Sequence, residues 1–180
     1  MVVFGYAERD GAYFYNSAAV FQRGAVVGLY RKLHPAIRRS IYEAGHATPV
    51  FTVGALTFGI IICRDSTFPE PARAMASRGA VALFVPTNNG LPPAKASPSI
   101  IDDARNCDIT LAIENGMSVI RADVAGQTPD LLAYGSSGVV DQDGVVLKSA
   151  QRLQSDLVVA EIATTPRARR AIVTVSALGE

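Results

Sequence analysis

Apolar residues fall in short runs broken by turn-forming clusters, a pattern of many strands and few helices. Residues 2–6 read as a buried strand, Glu8-Arg9-Asp10-Gly11 as a turn, and 13–21 as a second strand interrupted by Asn16 and Ser17. Arg23-Gly24 is the next turn, and 25–30 returns as a third strand, completing a β-meander. Residues 35–46 form an irregular or short helical connection, and 50–53 and 56–63 a hairpin-like pair around Gly54. Phe68-Pro69-Glu70 then leads into a helix over 71–77. A continuous apolar strand over 80–85 ends in the polar loop Pro86-Thr87-Asn88-Asn89-Gly90, and 91–97 is Pro-rich loop. The longest helical pattern runs over 99–114, with Ile100, Ile101, Ala104, Cys107, Leu111 and Ala112 on one side. Residues 118–124 read as a strand, 126–134 as a loop, and 138–140 with 145–147 as a hairpin around Asp141-Gln142-Asp143-Gly144. A last strand is expected over 157–162. Many strands with two helices between them predict a layered α/β or α+β domain over 1–162, with 163–180 as a tail. The tail's Arg167-Ala168-Arg169-Arg170 patch reads as solvated.

Composition narrows the class. The chain has 180 residues, 49% of them apolar and 18% charged, which describes a globular domain with a real core. A formal charge of +1 gives no reason to expect nucleic acid or an anionic membrane as a partner. No apolar run approaches the ~18 residues that span a bilayer, and the segment 1–5 lacks the basic start of a signal peptide. The two cysteines, Cys63 and Cys107, make no disulfide framework, so both are expected as reduced thiols in the cytoplasm. The two histidines, His34 and His46, lack partners at metal-ligand spacing, and no metal site is expected.

Candidate chemistry centres on Cys63. It follows Phe58-Gly59-Ile60-Ile61-Ile62 and opens Arg64-Asp65-Ser66-Thr67, placing a thiol between a strand tip and a helix N-terminus, where the helix dipole favours a thiolate. A cysteine after three isoleucines also fits a plain core position. A thiol nucleophile attacking a carbonyl or nitrile carbon needs a proton acceptor and a stabiliser for the oxyanion. Lys32, at the end of the third strand in Tyr30-Arg31-Lys32-Leu33-His34-Pro35, is the candidate for the second role; alone, a lysine there is also an ordinary surface group. Asn88 and Asn89 either line a pocket or cap their turn. Arg64 either recognises a substrate carboxylate or points into solvent, Cys107 reads as core packing, Glu114 as a structural ion pair or hydrogen bond, and His34 as an orienting or packed imidazole.

Taken in order, several blocks resemble the carbon–nitrogen hydrolase family, or nitrilase superfamily. They are Gly5 with Asn16-Ser17-Ala18, the stretch from Gly24 to Tyr30-Arg31-Lys32-Leu33-His34, and Gly59 to Cys63-Arg64-Asp65 with Phe68-Pro69-Glu70. Pro86 to Gly90, Ala104-Arg105 with Glu114-Asn115-Gly116 and Val119, and Gly135-Ser136-Ser137 with Asp141 to Gly144 follow. The resemblance covers roughly residues 3–162. It implies a four-layer αββα sandwich, usually a homodimer, and a Glu-Lys-Cys triad that needs no metal or organic cofactor. It implies Cys63 as nucleophile through a thioester and Lys32 as stabiliser of the tetrahedral intermediate. The backbone N–H of Arg64 shares the oxyanion role, and Asn88 stands beside the substrate. The substrate expected is a small amide or carbamoyl compound, because Asp65 after Cys63-Arg64 resembles the amidase and carbamoylase branches.

The chain also departs from the family. Met1 falls near the family's third strand, so the sandwich is expected to lack its N-terminal strands and helix, and with them the base glutamate. Glu8 matches another position and reads as a turn or substrate-loop carboxylate. A further family glutamate falls on Arg38. Two readings follow: a cysteine-dependent amidase, or an inactive family member serving as a binding or assembly protein. Either way, an uncovered sheet edge and apolar face predict a homo-oligomer or partner chain.

Overall fold

A computed structural model describes residues 1–36 and 41–166. β1 (Val2–Asp10), β2 (Tyr13–Gln22) and β3 (Ala25–Arg31) form the predicted antiparallel meander, and the short β4 (Tyr42–Glu43) adds to β2 in parallel. β1 runs further than its apolar residues suggest. Glu8, Arg9 and Asp10 pair with Tyr15, Phe14 and Tyr13, so Glu8 lies in a strand and not in a turn.

The second sheet is built from β5 (Val50–Val53), β6 (Leu56–Ile60), β7 (Ala82–Thr87), β8 (Ser118–Asp123), β11 (Gly138–Val140) and β12 (Val146–Ser149). Its order is β12-β11-β8-β7-β6-β5, with β6, β7 and β8 parallel at the centre. Two helices supply the crossovers: α1 (Pro69–Ala76) between β6 and β7, and α2 (Ser99–Asn115) between β7 and β8. The segment expected as loop over 126–134 carries a small separate ribbon, β9 (Ala125–Gln127) and β10 (Leu132–Tyr134). The strand expected over 157–162 is absent. Leu157 and Val159 are exposed and only Ile162 reaches the core, so apolar content there did not become a ladder.

The two sheets stack face to face. Ala18, Val20 and Tyr30 of the meander share one core with Phe58, Ile60, Leu83, Val85 and Val119. The approach is close enough that a Cβ on Gly28 of β3 would sit 2.3 Å from the Phe51 ring of β5. α1 and α2 add Ala72, Met75, Leu111 and Ala112 to the same core. The described residues therefore form three layers, helix, sheet and sheet. The far face of the meander is uncovered among them: Val2, Phe4 and Val26 are 59%, 57% and 60% exposed.

Candidate functional site

The parallel strands β6, β7 and β8 all end at the same edge of their sheet, which is where open α/β sheets place ligands. Cys63 leaves β6 through the buried Ile61 and Ile62 and opens a single 3-10 turn, Cys63–Thr67, before α1 begins at Pro69. Its φ is +48°, left-handed backbone that a residue with a Cβ rarely adopts and that persists only where the surroundings enforce it. The enforcing contacts are visible. Ser66 donates its hydroxyl to the Cys63 carbonyl at 2.8 Å, and the Ile62 N–H donates to Asp65 Oδ2 at 3.1 Å.

Asp65 also ties this turn to the lysine-bearing segment. Its buried carboxylate accepts Tyr30 Oη at 2.8 Å and the His34 N–H at 2.8 Å, and His34 Nδ1 lies 3.1 Å from it. The imidazole stacks on Phe68 at 3.7 Å, so His34 is a packed, orienting ring. Lys32 sits between these anchors. Its N–H donates to the Asn16 carbonyl and its own carbonyl accepts from Gly45, both at 2.8 Å. The residue is 3% exposed, and among the described residues its ammonium has no hydrogen-bond or ion-pair partner.

Lys32 and Cys63 open onto one cavity of about 600 Å³, which Asn88, Tyr42, Pro86 and Thr87 also line. No carboxylate stands among the described residues of its wall. The Cys63 thiol lies 3.5 Å from Asn89 Oδ1 and 3.8 Å from the Asn88 carbonyl. Asn88 thus lines the cavity while its side chain accepts the Gly90 N–H at 2.9 Å, fulfilling both readings of that amide. Asn89 is the residue that sequence reasoning undervalued. Its amide is held by Asp123 and Ser136 and its oxygen faces the thiol. The Arg64 N–H has no acceptor among the described residues, whereas its exposed side chain donates to the Ala36 carbonyl at 3.1 Å.

The other candidates fall outside this centre. Glu8 accepts from Arg31 Nε at 2.9 Å and from Ser17 Oγ at 2.5 Å, and these bonds hold its carboxyl below the usual range, Arg31 being the larger cause. Cys107 is half-buried, with burial pushing its thiol up, and it shares a second pocket of about 230 Å³ with Cys63 and Arg121. It is therefore less deeply packed than its helix pattern predicts. Glu114 is exposed and, among the described residues, makes neither the ion pair nor the side-chain hydrogen bond expected of it. Arg38 and the Arg167-Ala168-Arg169-Arg170 patch lie outside the described residues. Among the described residues, no three His, Cys, Asp or Glu side chains converge as metal ligands, and no helix is long and apolar enough to cross a membrane.

Fold and cavity together define a layered α/β sandwich in which a strained cysteine from one sheet and a buried lysine from the other open onto one cavity. The carbon–nitrogen hydrolase family profile matches residues 1–170, and the chain belongs to that family. It is 34% identical over 163 residues to a nitrilase of Pyrococcus abyssi, covering 89% of this chain and 58% of that one. It is 31% identical to a citrullinase of Francisella tularensis, covering 85% of this chain and 57% of that one. A crystal structure of a carbon–nitrogen hydrolase from Helicobacter pylori superposes with a TM-score of 0.80 at 26% identity, covering 90% of this chain and 61% of that one. The chain thus spans little more than half the length of these relatives.

Proposed function

We propose that this chain carries the nucleophile and oxyanion side of an amidase-like hydrolase acting on carbon–nitrogen bonds other than peptide bonds. The observation that carries the reading is the cavity shared by Cys63 and the buried Lys32, whose ammonium has no partner among the described residues. In the proposed cycle Cys63 Sγ attacks the carbonyl carbon and the C=O electron pair moves to oxygen. The oxyanion is held by the Lys32 ammonium and the Arg64 N–H. Collapse expels the protonated amine or ammonia and leaves a thioester. Water then adds to the thioester carbon, releasing the acid and restoring the thiol. The thiol proton goes to a carboxylate, which by family resemblance is a glutamate. No carboxylate among the described residues lines the cavity, so in this scheme the group reaches the Cys63 thiol from outside them.

The substrate class we favour is a small linear amide or carbamoyl compound, supported by the citrullinase likeness. The working form is a homo-oligomer in the cytoplasm, where Cys63 and Cys107 stay reduced. The same lack of a wall carboxylate favours a second reading, a non-catalytic binding or assembly member of the family. Ammonia release over a panel of amides and ureido compounds separates the two. Release that disappears in Cys63→Ala establishes the first, and equal rates in both proteins refute it.

A further inference from the structure

The buried charge with the most side-chain hydrogen bonds among the described residues plays no part in the scheme above. Arg121 of β8 is 3% exposed, in a strand whose other residues gave no sign of a cation at its centre. Its guanidinium meets three elements at the strand edge that carries Cys63. Nε donates to both oxygens of Asp108 of α2, at 3.1 and 2.9 Å, and Nη2 also donates to Asp108 Oδ1 at 2.5 Å. Nη1 donates to Thr87 Oγ1 at the end of β7, at 2.9 Å. Nη2 donates to Ser66 Oγ at 3.1 Å, and the Ser66 hydroxyl in turn donates to the Cys63 carbonyl at 2.8 Å. Arg121 thus stands one hydroxyl away from the backbone of the strained residue and lines the small pocket behind it.

We propose that Arg121 is the positioning residue of the Cys63 turn, acting through Ser66; the reading of Cys63 as nucleophile is the base on which this rests. A buried arginine is expensive to desolvate, and an apolar replacement of such a pair is often as stable or more so. Its placement here does what an apolar core would not. It fixes the hydroxyl that holds the Cys63 carbonyl inward, and with it the left-handed φ of +48°. With that carbonyl bonded to Ser66, the Arg64 N–H that follows has no acceptor among the described residues, the state an oxyanion donor needs. Burial disfavours the guanidinium's charge, but the Asp108 bonds and the nearby Cys63 raise its proton affinity, so it remains a cation.

The test reads Cys63 directly, without turnover. The alkylation rate of Cys63 by iodoacetamide is followed by peptide mass spectrometry in the wild-type protein, Ser66→Ala, Ser66→Thr and the double variant Arg121→Met with Asp108→Leu. The double variant removes both members of the Arg121–Asp108 pair; because Asp108 also lies 3.6 Å from Arg105 Nη1, it is compared only once circular dichroism shows it folded, and Ser66→Ala against Ser66→Thr carries the test on its own if it does not fold. Slower alkylation by about tenfold, the worth of one hydrogen bond, is expected in Ser66→Ala and in the folded double variant. Ser66→Thr, which keeps the hydroxyl, is expected to retain the wild-type rate. Where hydrolysis is measurable, kcat falls with KM unchanged. Wild-type alkylation in Ser66→Ala or in the folded double variant overturns the proposal, as does a Ser66→Thr rate as low as that of Ser66→Ala. If no amide is hydrolysed but the alkylation pattern holds, the proposed activity fails and the positioning role stands.

Discussion

Asp65 is the joint between the two halves of the site, and replacing it with asparagine tests that directly. Its Oδ1 accepts the His34 N–H, and its Oδ2 accepts the Ile62 N–H and Tyr30 Oη. Asparagine has one acceptor oxygen. Whichever way the amide turns, one of the two backbone N–H groups faces an NH2 donor at a fully buried position. A buried donor left unpaired costs about 1–3 kcal/mol, and weakening the remaining charge-assisted bonds brings Asp65→Asn to roughly 2–4 kcal/mol. Tyr30→Phe is the control. It deletes one donor and leaves both backbone N–H groups paired, so it is expected to cost about 1–2 kcal/mol. Urea unfolding measures both, with the comparison made at unchanged m. Asp65→Asn is expected to be the less stable by at least about 1 kcal/mol. In the folded protein it is also expected to lower Cys63 alkylation, because the Cys63 and Lys32 segments lose their common anchor. An Asp65→Asn protein no less stable than Tyr30→Phe refutes the reasoning.

Two pH effects follow from the same bonds. Burial, and then the Asp65 carboxylate, push the Tyr30 phenol far above its ordinary value. The folded form holds a proton that the unfolded form loses near pH ~10, so stability is intact below that pH and falls above it by up to ~1.4 kcal/mol per pH unit. Urea midpoints from about pH 9 to 11 should show this decline in the wild type and a shallower one in Tyr30→Phe; equal slopes would discard the assignment. Glu8 shifts the other way, with Arg31 holding its carboxyl down. Its contribution is present above the unfolded value of about 4.3 and is lost as pH falls through the lower folded value. The Arg31 side chain is 29% exposed, so Glu8→Gln should flatten the acid limb of stability by no more than ~1 kcal/mol. A larger change would show that Glu8 does more than pair with Arg31.

What the sequence revealed and what it hid divide along one physical line. Strand tips and turns are local, so the positions of Cys63, Lys32 and Asn88 could be read from apolar runs and their polar ends. Contacts between distant elements left weaker traces. Asp65 bonds to Tyr30 and His34, whereas in the sequence it stands in a polar turn and marks only a branch resemblance. Asp108 and Arg121 show the same thing. Asp108 is one of several charges on α2, beside Cys107 and Leu111, and Arg121 lies between Ile120 and Ala122 on β8. Neither signal means much alone, since a single charge in such a run is ordinarily read as the solvent side of its element. Only the structure shows both buried, and there each offsets the other's desolvation. The strand expected over 157–162 failed for the converse reason. Its apolar run satisfies the local pattern, but the ladder ends at β12 and nothing described pairs beyond it. Lys32 is the limiting case. Its backbone is fixed on both sides while its ammonium, nearly all buried, has no counter-charge among the described residues. A pattern can show where such a cation stands, but what neutralises it is a matter of which group enters the cavity.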